Sequence, residues 1–516
     1  MSTRREFLEH AGAIGLGAVL LPHAGALAAT GTGDVSRRPP GIVLEKIEAG
    51  GISHYSYFIG DLLSGDAAVI DPRRDVEAYI ELAKKHRLRI LYAIETHIHA
   101  DFVSGARELA YRTGAQIRAS VEGNPRYGFA IDPVRNGDVI PVGGIELKAI
   151  HTPGHTPEHM SFLASQRGGK ASPWALFTGD FLFAGSVGRP DLMGVANTDN
   201  LAKKLWDSLQ TAFADLPDEL PIYPAHGPGS PCGAGITERD GQATLGIERT
   251  SNPAMQFDER GAFIQDLLFN QPPVPYYWPR MKEVNERGPK VLGGVPDPEP
   301  LEPKAFEKMI VTEQAQLLDT RHFFGFGGGH IAGAVNIGHS SSISMWGGWL
   351  LDHERPIALV KAPEGAATEV TAWLMRVGLT NVKAVLEGGM EEWTMSGRRF
   401  ATVPQMSIHM LRERLDDPDL QVVDVRQPSE WDEGHLPNAR YAFLPEIPDR
   451  LDEFDRSRPV VTYCGTGYRA SIGASLFKRG GFDAYSVPGS IGAWEAAGYS
   501  FEKPTKAMRA SLTRRG

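Results

Sequence analysis

Between residues 41 and 270, short apolar runs alternate with stretches of helical spacing. The runs at 55–59, 67–70, 90–94, 145–150 and 174–177 read as strands. Apolar positions three and four apart predict a helix over 76–86. A second is predicted over 106–113, with Ser104 as its cap and Gly114 as its stop. Strands interleaved with helices predict one α/β domain. The pattern breaks over 271–303, where Pro272, Pro273, Pro275, Pro279, Pro289, Pro296, Pro298, Pro300 and Pro303 argue against a continuous helix or a central strand. This stretch predicts a semi-rigid linker packed by Tyr276, Tyr277 and Trp278.

Beyond the linker the pattern repeats. Leu317-Leu318-Asp319 and Gly329-His330-Ile331 recur as Val422-Val423-Asp424 and Gly434-His435-Leu436, both displaced by 105 positions, and Trp393 recurs as Trp494. Two copies of one strand-and-helix unit are therefore predicted, over 304–400 and 405–504. At the other end, residues 1–29 read as a targeting segment. Arg4-Arg5-Glu6-Phe7-Leu8 is followed by an uncharged stretch and the small-residue site Ala26-Leu27-Ala28. The stretch is too short for a stable membrane anchor. The paired arginines resemble a twin-arginine signal, which implies a periplasmic location, with a cytoplasmic one as the alternative.

Composition narrows the function. The 516 residues carry 53 Lys and Arg against 63 Asp and Glu, a net charge of −10, so the broad positive field required by nucleic acid is absent. Two cysteines, Cys232 and Cys464, cannot form a disulfide framework; each is a candidate reactive thiol or a small buried apolar side chain.

Five of the 16 histidines lie in short segments directly after apolar runs. These are Thr96-His97-Ile98-His99-Ala100-Asp101, His151-Thr152-Pro153-Gly154-His155 and Pro224-Ala225-His226, and Thr178-Gly179-Asp180 lies between the last two. Side chains at strand exits can converge at one sheet edge, and imidazole with carboxylate is a ligand set for zinc or non-haem iron. In the last repeat the apolar strand 460–463 delivers Cys464-Gly465-Thr466-Gly467-Tyr468-Arg469, with a helix expected over 470–478. The glycines let backbone N–H groups turn inward, and the helix N-terminus behind them favours a thiolate or an anion.

The order HxHxD, distant His, TGD, His resembles the metallo-β-lactamase superfamily. The stretches THIHADFVSG, HTPGHTPEH, FTGDFLFAGSVGRPDL and PAHGPGSPCG resemble persulfide dioxygenases, in particular forms fused to rhodanese domains. The resemblance implies an α/β chain: an αββα metallo-β-lactamase sandwich followed by two rhodanese-like domains. It implies Fe(II), one per chain, held by His97, His155 and Asp180, with zinc as the alternative metal. His99, Asp101 and His226 then become candidates to orient the ligands, to relay protons or to hold a second metal. Phe102 stands where dinuclear relatives carry a further histidine and offers no lone pair, which favours a single metal.

Arg189 is expected to pair with Asp191 or to meet a carboxylate on the thiol carrier, and Cys232 to face the metal pocket or to pack inertly. His159 and His54 receive no role. Cys464 is expected to carry persulfide sulfur, with Arg469 and Gly465 to Tyr468 forming its loop. Aligning the repeats puts Lys361 at the place of Cys464 and Ala366 at that of Arg469, so the first repeat is expected to be silent. The run 325–329 reads as a flexible loop. The implied partners are a low-molecular-weight thiol persulfide, dioxygen, and sulfite or thiosulfate, with a homo-oligomer possible. The alternatives are a zinc thioesterase resembling hydroxyacylglutathione hydrolase and a non-enzymatic sulfane-sulfur carrier or sensor.

Overall fold

The computed structural model describes residues 38–168, 172–233, 235–237, 243–269, 271–361 and 365–504; the targeting reading of 1–29 lies outside them. No helix among the described residues is long and apolar enough to cross a membrane.

The first domain is built on two sheets. The six-stranded sheet follows chain order: Ile42–Ala49, His54–Asp61, Asp66–Ile70, Arg89–Ile94, Gln116–Ser120 and Asp132–Val134. The five-stranded sheet has the order Ile222–Pro224, Ala175–Gly179, Met160–Gln166, Ile145–His151 and Val139–Val142. Alternation along each strand decides which face meets which layer. Tyr57 and Ile59 point between the sheets, against Leu147, Ala149, Phe162 and Phe177. Phe58, between them in sequence, points outward to Tyr79, Leu82 and Leu109 of the covering helices Glu77–His86 and Ala106–Thr113. The other sheet turns Leu176 and Ile222 toward Leu205 of helix Val195–Thr211 and Phe263 of helix Arg260–Phe269. Two sheets face to face with helices outside make the αββα sandwich.

Two sequence readings are corrected. The 271–303 stretch contains a helix, Trp278–Arg287, and a second, Pro303–Thr312, begins at its last residue. Pro279 and Pro303 each sit in the first turn, where the missing N–H has no intrahelical partner to lose and the fixed φ suits the helix. Tyr277 and Trp278 are buried there, and the Tyr276 hydroxyl donates to the Trp349 carbonyl. Pro300 lies in Glu299–Leu301, an edge strand, as a residue without an N–H should. The 325–329 run falls largely within a helix, Phe323–Gly328. It is pinned by His322, whose ring caps the Phe324 N–H, and by buried Phe326 stacked on His330 at 3.9 Å.

The two repeats form parallel sheets. One has the order Glu299–Leu301, Val382–Leu386, Ile357–Val360, Gln316–Asp319, Val335–Asn336, and the other Arg440–Tyr441, Gln421–Asp424, Val460–Tyr463, Ala484–Ser486. Their matched signatures do the same work. Arg321 and Arg426 each pair with the aspartate two residues earlier and donate to a glycine carbonyl, Gly329 at 2.7 Å and Gly434 at 2.6 Å. The indole N–H groups of Trp393 and Trp494 close the units on the Arg399 and Ser500 carbonyls.

Candidate metal centre and sulfur-transfer loop

The metal candidates stand on three strand exits. His97 follows Arg89–Ile94, His155 follows Ile145–His151, and Asp180 follows Ala175–Gly179. One ligand atom from each lies within 4.8 Å of the other two, and all three residues are buried. The Nε2 atoms of His97 and His155 stand 3.8 and 3.4 Å from Asp180 Oδ2. Each outer ring nitrogen is held elsewhere: His97 Nδ1 against Thr96 Oγ1 at 2.9 Å, and His155 Nδ1 against the Arg189 carbonyl at 2.8 Å. This leaves each Nε2 directed inward, the usual way of aiming a metal-ligating imidazole.

Three observations fit a cation here. His97 Nε2 and Asp180 Oδ2 are buried atoms with no hydrogen-bond partner, an expensive condition unless something else satisfies them. Burial lowers the pKa of both His97 and His155, so both offer a neutral lone pair. Burial alone would raise the Asp180 carboxyl, but the His226 imidazole against it, with His97 and His155 behind, holds it well below the usual carboxylate range. The set is two imidazoles and one anionic oxygen.

Asp180 is itself tightly oriented. Its Oδ1 meets His226 Nδ1 at 2.7 Å, and His226 Nε2 meets Asp101 Oδ2 at 2.8 Å. Burial would lower the His226 pKa, but Asp180 and Asp101, with Cys232 nearby, hold it well above the ordinary value, so an imidazolium links two carboxylates. His159 accepts the Asp180 backbone N–H at Nε2, 2.9 Å away, and its Nδ1 meets Thr152 Oγ1 at 2.8 Å. Gly179 is required between them: φ is +53° and a Cβ would lie 2.5 Å from His159 Nε2.

His99 does not join the triad. Its Nε2 lies 3.2 Å from Asp71 and 3.3 Å from Glu95, which outweigh burial and raise its pKa to about 10. Asp101 and His226 form a separate group with the buried Cys232, again within 4.8 Å. Burial pushes the Cys232 thiol up. Phe102 fills the position of the missing histidine with a fully buried ring, 4.0 Å from His54 and 4.5 Å from His99.

In the last domain, strand Val460–Tyr463 ends at Cys464, and helix Tyr468–Arg479 starts after Gly467, whose φ is +113°. The Gly467 N–H donates to Cys464 Sγ at 3.1 Å, and Cys464 N–H donates to Ser490 Oγ at 3.0 Å. The N–H groups of Gly489, Ile491 and Gly492 donate to the Thr466, Cys464 and Gly465 carbonyls, which fixes the shape of the loop around the buried Cys464. Arg469 pairs through both Nη atoms with Glu430, at 2.5 and 2.7 Å. The Tyr468 hydroxyl reaches out of its domain to the Gly338 carbonyl at 2.9 Å and to Ser340 Oγ at 3.2 Å. Tyr468→Phe, which keeps the ring and removes this tie, is expected to lower the stability of the C-terminal domain pair by about 1 kcal/mol, read as a shift in denaturant midpoint.

The comparisons follow the same division. The metallo-beta-lactamase superfamily model matches residues 49–226, and the rhodanese-like domain model matches 302–396 and 407–497. Over 203 residues the chain is 32% identical to the mitochondrial persulfide dioxygenase ETHE1 of Bos taurus, covering 39% of this chain and 71% of that protein. The chain belongs to the metallo-β-lactamase superfamily. Two rhodanese-like domains follow its metal-binding domain. The cytoplasmic hydroxyacylglutathione hydrolase of Arabidopsis thaliana is 34% identical over 181 residues, 34% of this chain and 63% of that protein, so less than two thirds of its length is spanned. A solved metallo-beta-lactamase from Staphylococcus aureus subsp. aureus COL overlays with a TM-score of 0.60 at 33% identity, covering 67% of this chain and 98% of that one.

Of the two readings of Arg189, the pairing with Asp191 is the one observed, and its donors are taken by the fold rather than left for a carrier carboxylate. Its Nε and Nη2 grip Asp191 at 2.7 Å each, and Nη1 donates to the Pro231 and Pro272 carbonyls, so a buried guanidinium serves the fold. One alignment is corrected: in the first rhodanese-like domain, helix Ala366–Arg376 starts one residue later relative to its strand than Tyr468–Arg479 does, which sets Ala367, rather than Ala366, opposite Arg469. Lys361 still follows the strand where Cys464 does, so no thiol is present there.

Sequence reasoning missed several residues. Asp71 accepts the Thr96 N–H and hydroxyl at 2.7 and 2.8 Å, and it adopts φ +50°, a conformation that a non-glycine residue takes only when its surroundings impose it. Asn285, on the linker helix, and Glu430, the partner of Arg469, also carried no local sign of their roles.

Proposed function

We propose that this chain is an iron-dependent persulfide dioxygenase coupled to sulfane-sulfur transfer at Cys464. The observation that carries the reading is the convergence of His97 Nε2, His155 Nε2 and Asp180 Oδ2, with a buried Phe102, packed on His54 and His99, at the sequence position where dinuclear relatives carry another histidine. A two-His, one-carboxylate face is a set that suits ferrous oxygenase chemistry, and such an ion, when bound, supplies open positions for a substrate sulfur and for dioxygen. Similarity to a named persulfide dioxygenase supports the same reading.

In this proposal one thiol persulfide, one dioxygen and one water give thiol, sulfite and two protons; the outer sulfur loses four electrons and dioxygen takes them. The protein's part is positional. Thr96 and the Arg189 carbonyl fix the two imidazoles, while His159 and His226 fix the carboxylate. His226, charged between Asp180 and Asp101, keeps Asp180 ionised. At the second site, Cys464 takes the outer sulfur of a second thiol persulfide, releasing that thiol, and passes it to sulfite, forming thiosulfate and returning the Cys464 thiol. Joining the sites raises the effective concentration of a reactive intermediate. The targeting segment 1–29 extends the proposal to a periplasmic enzyme exported already folded.

A zinc thioesterase is the second reading, favoured by the similarity to hydroxyacylglutathione hydrolases. One experiment separates the two. Protein purified without oxygen is assayed for bound metal, for oxygen uptake and sulfite formation from glutathione persulfide, and for cleavage of a glutathione thioester. Iron with sulfite is expected; zinc with thioester cleavage overturns the dioxygenase reading. Persulfide on Cys464 without turnover of either substrate leaves a sulfur carrier.

A further inference from the structure

The metal loop, residues 97–104, is not held by its own domain alone. From within that domain, Ile98 N–H donates to Glu158 at 3.0 Å, and Asp71 fixes Thr96 just before the loop. The later backbone groups of the loop find their partners elsewhere. The carbonyls of His99 and Phe102 accept from Asn285 Nδ2 at 2.8 and 2.7 Å, and the Ser104 N–H donates to Asn285 Oδ1 at 2.9 Å. The Val103 N–H donates to the carbonyl of Arg376, at 2.7 Å, on the last residue of helix Ala366–Arg376. Asn285 belongs to the linker helix and Arg376 to the silent rhodanese-like domain.

Both are built into the interior. Asn285 is buried, and its amide satisfies two acceptors and one donor that only this orientation matches. The Arg376 guanidinium makes two 2.8 Å bonds to Asp75, and this pair is buried; Asp75 is also 3.1 Å from the half-buried Arg73. Asp75 lies four residues after Asp71, which bonds the Thr96 hydroxyl that in turn meets His97 Nδ1. Thus Arg376 grips the end of the loop by its carbonyl and the segment that orients His97 by its side chain. Packing continues the contact. Phe102 and Val103 share one apolar cluster with Tyr277, Trp278, Met281, Val377 and Leu379. A Cβ on Gly378 would come within 2.9 Å of Met281 Cε and 3.5 Å of Val103 Cγ2.

We propose that Asn285 and Arg376 are positioning residues for the metal centre, and that the silent rhodanese-like domain serves as a clamp on the loop that carries His97. This accounts for a rhodanese-like domain without a thiol: what it contributes is a fixed surface against the metal loop. The proposal rests on the metal-centre reading, and on nothing in the oxidation chemistry.

The test uses the full chain freed of metal and titrated with cobalt(II), with affinity measured by chelator competition and geometry by the visible absorption of the bound ion. Asn285→Ala and Arg376→Met are expected to weaken cobalt binding by about 10- to 100-fold and to alter the spectrum, as loss of an orienting contact does. Loading of Cys464 with sulfur from thiosulfate is expected to stay at the parent rate, and Arg376→Lys, which keeps a charge near Asp75, to recover part of the loss. Should Arg376→Met fail to fold, Asn285→Leu carries the test, since it is nearly isosteric and removes the amide's hydrogen bonds without placing a charge in the interior. Parent affinity and an unchanged spectrum in the folded variants would overturn the clamp. A parent protein that takes up no cobalt would overturn the metal-centre reading itself.

Discussion

Asp180→Ala is expected to lower persulfide-dependent oxygen uptake by about 10³-fold or more, while sulfur transfer through Cys464 continues at the parent rate. Two losses coincide. The anionic ligand disappears from a buried set of three, leaving two neutral imidazoles to hold a cation without local charge compensation. The His226 imidazolium also loses the carboxylate 2.7 Å from its Nδ1, and a buried cation with one partner removed is costly enough to shed its proton. The rearrangement then reaches Asp101 on the far side of the ring. Cys464 is insulated from this because its loop is fixed by Gly467, Ser490 and Gly489 to Gly492 in its own domain. The measurements are bound metal, an oxygen-electrode trace with a thiol persulfide, and sulfite yield, set beside thiosulfate-to-cyanide transfer on the same preparation. Undiminished oxygen uptake and metal content would remove Asp180 from the ligand set.

The gathering of histidines and Asp180 at one sheet edge was legible because each follows an apolar strand, and strand exits are where a sheet delivers side chains; which three would make the ligand set came only from the resemblance to persulfide dioxygenases. What remained hidden depends on distance along the chain. Asn285 bonds residues 181 to 186 positions away, and Arg376 pairs with an aspartate 301 positions away. No periodicity or motif announces either, because both belong to interfaces that exist only once the domains have docked. The proline-rich stretch misled for a different reason. Counting prolines as breakers ignores where in a helix each one falls, and Pro279 and Pro303 fall in the first turn. Arg189 was half legible: the pairing with Asp191, two residues on, could be read locally, whereas the Pro231 and Pro272 carbonyls that take its remaining donors come from distant segments. The repeat was the most readable feature of all, since Asp319–Arg321 and Asp424–Arg426 perform the same ion pairing at a constant offset.

Cys464→Ser is expected to reduce sulfur transfer from thiosulfate by about 10³-fold or more, and to leave oxygen uptake with free persulfide unchanged. Serine has nearly the size of cysteine, and its hydroxyl can accept the Gly467 N–H that now meets Sγ, so the loop should keep its shape. What it lacks is the sulfur: a hydroxyl is a much weaker nucleophile than a thiol, and it forms no persulfide. Arg469 should remain on Glu430, so loss of activity would report the nucleophile and nothing else. The informative comparison is the product of persulfide oxidation in the presence of excess thiol persulfide. The parent protein should convert part of its sulfite to thiosulfate, whereas the variant should release sulfite alone. If thiosulfate still forms enzymatically in Cys464→Ser, transfer runs through another thiol, and Cys232, buried beside Asp101 and His226 at the metal centre, becomes the residue to substitute next.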